Sequence, residues 1–431
     1  MRRIKTYIVL FGLASSVSAA QYSLNEQSVV ELAVKRNENV GIARQELEQA
    51  KETLSSATSN LFPVLSISAG LTKNDGKGNI MPHGYDWNHN ARVQLTQPLY
   101  TFGKISSGVD IAESANKIGK LRTVVTKAEV ENAARQLYYR VLFNQELVRI
   151  TEDSYKNAVK NKNALEERVS YGRISRNDNI KMQADLASRK PNWIIAKKNL
   201  KNAILDIKNF LALQPEDDVK VVADNFNAKD KIATIPSNLQ KLDETVDVKI
   251  LKESIQLSDF SVELAKSQRL PDLGLFVAYS PLTYRVDKPF SGDISHNQND
   301  ISFGLQFTFD WDLGGSKNSE VAIKRSDANI ARLKFNQLRR EIRTQYLKLE
   351  QDYEGLQERF DAEAEAVKLA SSSYKVALSS FKSGGVSQLQ LNDSEIQLTQ
   401  HRLNLAQTKL QLKVTRAEMD RLLTSTGKGD K

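Results

Sequence analysis

Histidines are the side chains of this sequence best suited to chemistry by type, but their spacing does not match a metal or catalytic site. The 431 residues contain four histidines, at positions 83, 89, 296 and 401. Three of them fall in the polar loops "GKGNIMPHGYDWNHN" and "DKPFSGDISHNQND". No further histidine or carboxylate at zinc-site spacing accompanies His83 and His89. We interpret them as exposed loop residues, with metal binding by this pair as the alternative.

Other signatures of enzymes are missing as well. The sequence has no cysteine, which excludes disulfides, thiolate metal sites and cysteine nucleophiles. The "GKG" stretch lacks the Lys-Ser/Thr ending of a phosphate-binding loop, and no G-x-S-x-G nucleophile elbow occurs. We predict no catalytic activity, no metal and no cofactor.

The first twenty residues have the layout of a secretory signal. Arg2, Arg3 and Lys5 precede the apolar run "YIVLFGLASSV", and the small residues "SAAQ" follow it. Cleavage is predicted after Ala19 or Ala20. The apolar run is too short to span a membrane, and no cysteine follows that could carry a lipid. The mature chain is predicted to leave the cytoplasm.

The net charge does not indicate a nucleic-acid partner. The formal charge of +9 is spread through helical segments that also carry many acidic residues, such as "RFDAEAEAVK". No cluster of Lys and Arg with interleaved aromatic residues occurs, and export argues against nucleic acid. The charges are interpreted as solvated helix faces.

The chain contains an internal repeat. Each half begins with a helical pattern that ends near a proline, followed by two segments of alternating apolar and polar residues. A glycine then precedes a very long helical pattern, which is followed by a short break and a last helix. Pro63 and Pro271 are 208 residues apart, and Gly172 and Gly384, in the breaks "YGRIS" and "SGGVS", are 212 apart. Such constant spacing predicts an internal duplication.

The repeat also sets the predicted domain boundaries. Residues 1–20 are the signal, 21–212 the first repeat, 213–236 a connector, 237–424 the second repeat and 425–431 a flexible tail. The connector is assigned from polar and turn-forming stretches such as "LQPEDD" and "TIPSN".

Near-heptad spacing of apolar residues predicts two very long helices. In the second half, Phe335, Ile342 and Leu349 are spaced by seven, and no proline interrupts residues 317–382. At about 1.5 Å per residue, such a helix reaches roughly 100 Å. The first half shows the same pattern from about Ile105 to Val169. This length is typical of a coiled-coil rod, with the aromatic seam as its core.

Four segments alternate apolar with small or polar residues, as strands with one apolar face do. They are "VLSISAGLT", "ARVQLTQPL", "LGLFVAY" and "ISFGLQFTF"; Gln97 breaks the alternation in the second. Their length is close to the roughly 9 to 11 residues with which a tilted strand crosses a bilayer. No apolar run after the signal approaches the roughly 18 residues of a membrane helix.

The strands are predicted to face lipid, with a soluble sandwich as the alternative, because half-buried strands alternate too. The long helices can pack along their own apolar seam, so they do not need the apolar face of the strands as a partner. Aromatic residues also gather at the strand ends, as membrane-interface girdles do: Tyr100, Phe102 and Trp311 at one level, and Tyr85, Trp87, Tyr279 and Tyr284 towards the other.

Strands in lipid require oligomerisation of this chain. Lipid tolerates no open sheet edge, and four strands cannot close a barrel, whose smallest form has about eight. The chain must therefore associate with copies of itself. The strand count alone does not choose between two and three copies.

This order of segments resembles the TolC-like outer-membrane factors, the exit ducts of Gram-negative efflux pumps and type I secretion systems. The resemblance covers about residues 22–424, with "QPLYTFGK" as the sharpest match and "AKSQRLPDL" and "YGRISRND" as moderate ones. It implies an α+β membrane protein: a homotrimer whose chains each add four transmembrane strands to a twelve-stranded barrel in the outer membrane, continued into the periplasm by long antiparallel coiled-coil helices. The connector would lie in the equatorial region.

The resemblance also implies partners. The periplasmic end would meet a membrane-fusion adaptor and, through it, an inner-membrane transporter of the RND, ABC or MFS type. A structural coiled-coil protein of the periplasm or cell surface, without channel activity, is the alternative. It explains the long helices but gives the four alternating segments no purpose.

Gate residues are implied in the same way. In the family the periplasmic end closes like an iris, through polar links after the helix-to-helix turns and rings of acidic residues. The turns fall at Gly172 and Gly384. Asp178 takes the position of a linking aspartate, and Phe381 takes that of a frequent tyrosine.

The acidic rings match only in part. Asp393 matches one ring, Gln390 replaces the acid of the other, and Val386 stands where a linking arginine can occur; Arg173 and Arg176 are candidate substitutes. Symmetry-related carboxylates in a narrow pore favour cations and repel anions. For Asp178, stabilisation of the first turn of a helix is an equal alternative.

Overall fold

The computed structural model describes residues 21–73, 87–170, 176–222, 239–286 and 300–424. The predicted signal, the turn residue Gly172, most of the two histidine loops and the tail 425–431 lie outside these ranges, as do the side chains of Arg176 and Asp178. The proposals for those residues therefore stay predictions.

The order of elements repeats once along the chain. The elements are β1 (Gln21–Leu24), α1 (Glu26–Arg36), α2 (Glu38–Ser59), β2 (Val64–Lys73), β3 (Trp87–Tyr100), α3 (Lys104–Ser170), α4 (Arg176–Phe210), β4 (Asp218–Val221), a 3-10 turn (Leu239–Glu244), α5 (Val246–Ser267), β5 (Asp272–Val286), β6 (Asp300–Thr308), α6 (Ser316–Ser383) and α7 (Gln388–Leu422). In both halves a strand pair is followed by a very long helix and a shorter one.

The two very long helices predicted from the heptad spacing are confirmed. Helix α3 has 67 residues and α6 has 68, while α4 and α7 have 35 each. The matching lengths confirm the duplication. Neither α3 nor α6 contains a proline or a glycine-rich stretch that would break the helix. Both helices therefore continue to the predicted breaks.

The chain divides into two compact units that each combine segments from both repeats. One holds Met1–Val40, Ala128–Ile235 and Leu347–Arg421, and the other holds Gly41–Lys127, Pro236–Tyr346 and Leu422–Lys431. Helices α3 and α6 contribute residues to both units. We call the first the helical unit and the second the sheet unit.

The sheet unit contains the four alternating strands in one antiparallel sheet of order β2-β3-β5-β6. The register aligns their apolar residues in rows across the sheet. One row is Leu65, Leu95, Val277 and Phe303, and the next is Ile67, Val93, Tyr279 and Ile301. The predicted alternation is thereby confirmed as one continuous apolar face.

This apolar face is uncovered in the protomer. In β6 the exposed fractions are 70% for Ile301, 80% for Phe303, 67% for Leu305 and 68% for Phe307. The opposite face is lined by small and polar residues, including Ser66, Gln94, Ala278 and Ser302 in one row. A soluble sheet would bury its apolar face under a second layer, and in the described part of the chain no such layer covers it.

The break in the alternation at Gln97 has a local cause. The Gln97 side-chain Nε2 donates to the carbonyl of Leu61, 3.0 Å away, and to the carbonyl of Pro98, 2.8 Å away. The register also shifts between Pro98 and Tyr100. Gln97 therefore satisfies backbone carbonyls at the end of the strands, where the ladder is irregular.

The helical unit has its main core around α1, α3 and α4. Buried residues from these helices, such as Val29, Tyr138 and Ile207, pack together with Val219 of β4. Strand β1 pairs parallel to β4, and the Tyr138 hydroxyl donates to the carbonyl of Val222 over 2.7 Å. Part of the predicted connector is thus an ordered strand tied to the start of the described chain.

Candidate functional site

The turn between α6 and α7 begins the candidate gate region. Gly384 has φ +87°, the left-handed conformation that costs glycine least. Its N–H donates to the carbonyl of Phe381 over 3.1 Å, and the N–H of Gly385 donates to the carbonyl of Ser380 over 2.8 Å. These two bonds are the Schellman ending of a helix. The structure thus places a helix-to-helix turn at Gly384, and its position at the periplasmic tip stays a prediction.

Helix α7 starts with a capping box formed by Ser387 and Gln390. The Ser387 N–H donates to Oε1 of Gln390 over 2.9 Å, and the Gln390 N–H donates to Oγ of Ser387 over 3.3 Å. The Gln390 side chain therefore serves the end of its own helix. The S-x-x-Q spacing is the sequence signal for this capping role. The placement of Gln390 in a ring of gate residues stays a prediction.

Phe381 lies in a second apolar core of the helical unit. Its exposed fraction is 4%. It belongs to a cluster that joins α4, α6 and α7 and consists of Met182, Tyr374, Phe381, Leu391 and Leu398, with Val386 packed against it. A buried phenyl ring stabilises the turn by packing, and it has no hydroxyl with which to form a polar link.

Asp393 lies on the opposite side of α7. Leu391, Glu395 and Leu398 face the core, and at about 100° per residue Asp393 points nearly the other way. Its neighbours on that face, Leu389 and Ile396, are exposed in the protomer. The Asp393 carboxylate is also exposed, and its Oδ2 is 3.4 Å from Nε2 of Gln397. The structure thus leaves this carboxylate accessible, as a pore-lining role requires.

Asp178, the other predicted acidic gate residue, lies in the first turn of α4. Because its side chain is outside the described atoms, the link and the helix-cap interpretations both stay open. The backbone position is compatible with either.

A buried polar cluster close to this turn was missed by the sequence reasoning. Arg189 of α4 has an exposed fraction of 7%. Its Nε lies 2.8 Å from Oδ2 of Asp185, and its Nη1 donates to Oγ of Ser154 over 2.8 Å. Its Nη2 donates to Oδ1 of Asn392. One guanidinium thus joins α3, α4 and α7.

Glu395 of α7 completes this cluster, which we call the Arg189 clamp: Ser154, Asp185, Arg189, Asn392 and Glu395. Oε2 of Glu395 lies 2.7 Å from Nη1 of Arg189. Glu395 is only 2% exposed, and neither of its carboxyl oxygens accepts a hydrogen bond of good geometry within the described part of the chain.

Burial controls the protonation of Glu395. It raises the pKa of the Glu395 carboxyl to about 7, against the attraction of Arg189 and with added repulsion from Asp185. The sequence did carry a signal for this residue. Leu391, Glu395 and Leu398 share the i, i+4, i+7 spacing of a buried helix face, so an acid stands in an apolar row.

Three other kinds of feature bear on function in the described ranges: groups that hold a metal, the histidine of α7 and helices that span a membrane. Among those residues, no group of His, Asp and Glu is arranged to hold a metal ion. His401 instead places Nδ1 3.1 Å from Oε2 of Glu363. No described helix combines the length and apolarity needed to cross a membrane.

The fold defines a class of protein, a duplicated chain of long helices with a four-stranded sheet whose apolar face is uncovered. The family model for outer membrane efflux proteins matches residues 29–212 and 242–425, one stretch in each repeat. The chain belongs to this family, and the predicted recognition is confirmed. As a member of this family, it is a protein of the outer membrane.

Solved outer-membrane channels share the fold at low sequence identity. The chain matches CusC with a TM-score of 0.81, 12% identity and coverage of 96% of both chains. It matches CmeC of Campylobacter jejuni with a TM-score of 0.79 and 15% identity, over 98% of this chain and 94% of that one. It matches the open state of MtrE of Neisseria gonorrhoeae with a TM-score of 0.77 and 13% identity, over 93% of this chain and 89% of that one. These matches confirm the predicted fold class.

One relative has a name that describes export. "Toxin and drug export protein A" of Aggregatibacter actinomycetemcomitans is 24% identical over 194 residues, which cover 45% of this chain and 42% of that protein. The aligned region spans less than half of either protein.

Proposed function

We propose that three copies of this chain form an exit duct that carries substrates from the periplasm, or from an inner-membrane transporter, to the outside of the cell. The observation that carries the proposal is the four-stranded sheet, with one uncovered apolar face and two open edges. Apolar strands of 9 to 15 residues match the roughly 9 to 11 residues needed to cross a bilayer.

The open edges supply the reason for a trimer. Strands β2 and β6 are the edges of the sheet, and each has one partner strand in the described chain. An unpaired backbone group in lipid costs several kcal/mol, so β6 of one copy must pair with β2 of the next. Two copies would give eight strands, a barrel whose interior the side chains just fill, whereas three copies close twelve strands and leave an interior wide enough for transport.

The other face of the sheet would line the duct. Its small and polar residues, such as Ser66, Gln94 and Ser302, keep the interior wet. A wet lumen places little restriction on the solute. We therefore propose that the cargo is chosen by an inner-membrane transporter of the RND, ABC or MFS type, reached through a periplasmic adaptor.

The experiment that tests the duct is a mass measurement followed by electrophysiology. The mature protein is purified from outer membranes in mild detergent, and its mass is determined by light scattering after subtraction of the detergent. We expect three protomer masses and discrete conductance in a planar bilayer. A detergent-free soluble monomer or dimer would refute the barrel and favour the structural coiled-coil alternative.

Asp393→Asn is expected to weaken the cation preference of the reconstituted channel. Three exposed carboxylates in a narrow pore attract cations, and the amide removes this charge at constant shape. The measurement is the reversal potential in a KCl gradient, which should move towards zero. Asp393→Glu, which keeps the charge, is the control and should retain the wild-type reversal potential. An unchanged potential in the Asn variant would remove Asp393 from the pore.

A further inference from the structure

We propose that Arg189 is a positioning residue of the gate, which holds α7 in the rotation that points Asp393 away from the protomer core. The proposal rests on the proposed duct. It adds, to the predicted links and acidic rings of the gate, a set of contacts inside each protomer that fixes the orientation of α7. It follows from the contacts of the Arg189 clamp and from their position on α7.

The contacts define the rotation of α7 about its axis. Arg189 binds Asn392 and approaches Glu395, which are three residues apart and share one face of the helix. Asp393 lies on the other side. Any rotation of α7 that turned Asp393 towards the core would pull Asn392 and Glu395 away from the guanidinium.

Arginine suits this role because its planar group donates in several fixed directions at once. Arg189 bonds to Asp185 through Nε and Nη2, to Ser154 through Nη1 and to Asn392 through Nη2. A lysine ammonium at this position would keep the charge but could not hold α3, α4 and α7 in one fixed geometry.

The charge balance of the clamp depends on pH. One cation, Arg189, faces two carboxyl groups, Asp185 on the same helix and Glu395 on α7. From α3 the facing group is the uncharged Ser154, and from α6 it is the phenol of Tyr374, whose pKa is raised mainly by burial and further by Glu395. With Glu395 protonated the cluster is neutral; with Glu395 ionised it carries a buried negative charge.

This balance couples the gate to pH with a definite sign. In the observed conformation the pKa of Glu395 is raised to about 7, whereas a movement of α7 that exposed the carboxyl would return the pKa towards its ordinary value near 4.5. We take the observed conformation as the closed state and the moved one as the open state, so loss of the proton favours opening. Between pH 5.5 and pH 8 the open-to-closed ratio rises by up to about 30-fold, if the open state fully solvates Glu395.

The test is the conductance of the trimer in planar bilayers between pH 5.5 and pH 8. The wild type is expected to conduct more at high pH, with a midpoint near pH 7. Glu395→Gln, which is neutral at every pH, should stay at the low-pH conductance throughout. Arg189→Lys should conduct more than wild type at pH 5.5 and should show there the weaker cation preference that the wild type shows only at high pH, because Asp393 is no longer held in place.

A matched control uses the same substitution on an ordinary ion pair. Glu146 pairs with Arg149 three residues along α3, and its pKa is lowered, chiefly by the hydrogen bond from Arg149. It stays ionised over this pH range, so Glu146→Gln should leave the pH step unchanged.

The absence of cysteine permits a second readout of the same proposal. A spin label on Asp393→Cys reports the distances between the three copies. These distances should change between pH 5.5 and pH 8, and the change should disappear when Glu395→Gln is added. This readout does not depend on conduction through the pore.

The outcomes separate the two proposals. A conducting trimer whose pH step persists in Glu395→Gln, or whose selectivity is unchanged in Arg189→Lys, overturns the positioning role and leaves the duct intact. A protein that forms no trimer and no conductance overturns the duct itself. Should Arg189→Lys fail to assemble, the Glu395→Gln variant and the spin-label distances still decide.

Discussion

Phe303→Arg in β6 is expected to abolish stable insertion of the trimer into the outer membrane. Phe303 is 80% exposed in the protomer and lies on the edge strand β6, at the end of the apolar row that begins with Leu65, Leu95 and Val277. An arginine on the lipid face costs up to about 2–4 kcal/mol, the value at the bilayer centre. Three symmetry-related copies raise the loss to at most about 6–12 kcal/mol per trimer. The readout is the amount of heat-resistant trimer in outer-membrane fractions.

The control for this variant carries the same substitution on the other face of the same strand. Gln306 is exposed on the polar face, in register with Gly274. Gln306→Arg is expected to assemble at the wild-type level, because its charge would reach the wet interior. If Phe303→Arg assembled normally and Gln306→Arg did not, the face assigned to lipid would be the wrong one.

Phe381→Ala is expected to cost about 3–5 kcal/mol of stability, the usual loss when a buried phenyl ring is removed from a packed core. The loss should be concentrated in α4, α6 and α7 near the turn, because the ring contacts residues of these helices. Hydrogen exchange of the detergent-solubilised trimer measures it, as faster exchange in these segments. Phe381→Leu, which keeps most of the apolar volume, should cost less.

A surface variant on the same helix sets the baseline for this comparison. Glu365 forms an exposed ion pair with Lys368 three residues along α6, and such pairs contribute about 0–1 kcal/mol. Glu365→Ala should therefore leave the exchange pattern nearly unchanged. Equal protection in Phe381→Ala and Glu365→Ala would contradict the burial of Phe381 and return it to the pore surface.

The turn region combines two kinds of interaction with different roles. The Schellman ending at Gly384 and the capping box at Ser387 are local, and each satisfies backbone groups within a few residues. The Phe381 core and the Arg189 clamp are long-range and join helices from both repeats. Local bonds can keep the helix ends intact while the long-range contacts change, which is the separation that a movable gate requires.

Sequence periodicity by itself determined the elements of this protein. Seven-residue spacing of Phe335, Ile342 and Leu349 predicts α6, and the alternation in "ISFGLQFTF" predicts β6 and its apolar face. Repeated spacing of prolines and glycines predicts the duplication. These features are readable because period, glycine and proline act on the backbone within a few residues.

Tertiary structure alone decided which residues meet. Arg189 and Asn392 are 203 positions apart, and no local pattern connects them. The strand order that leaves β2 and β6 as edges, the pairing of β1 with β4, and the burial of Phe381 likewise depend on contacts between distant segments. Periodicity states which face of an element is apolar, whereas its partner depends on packing and register over the whole chain.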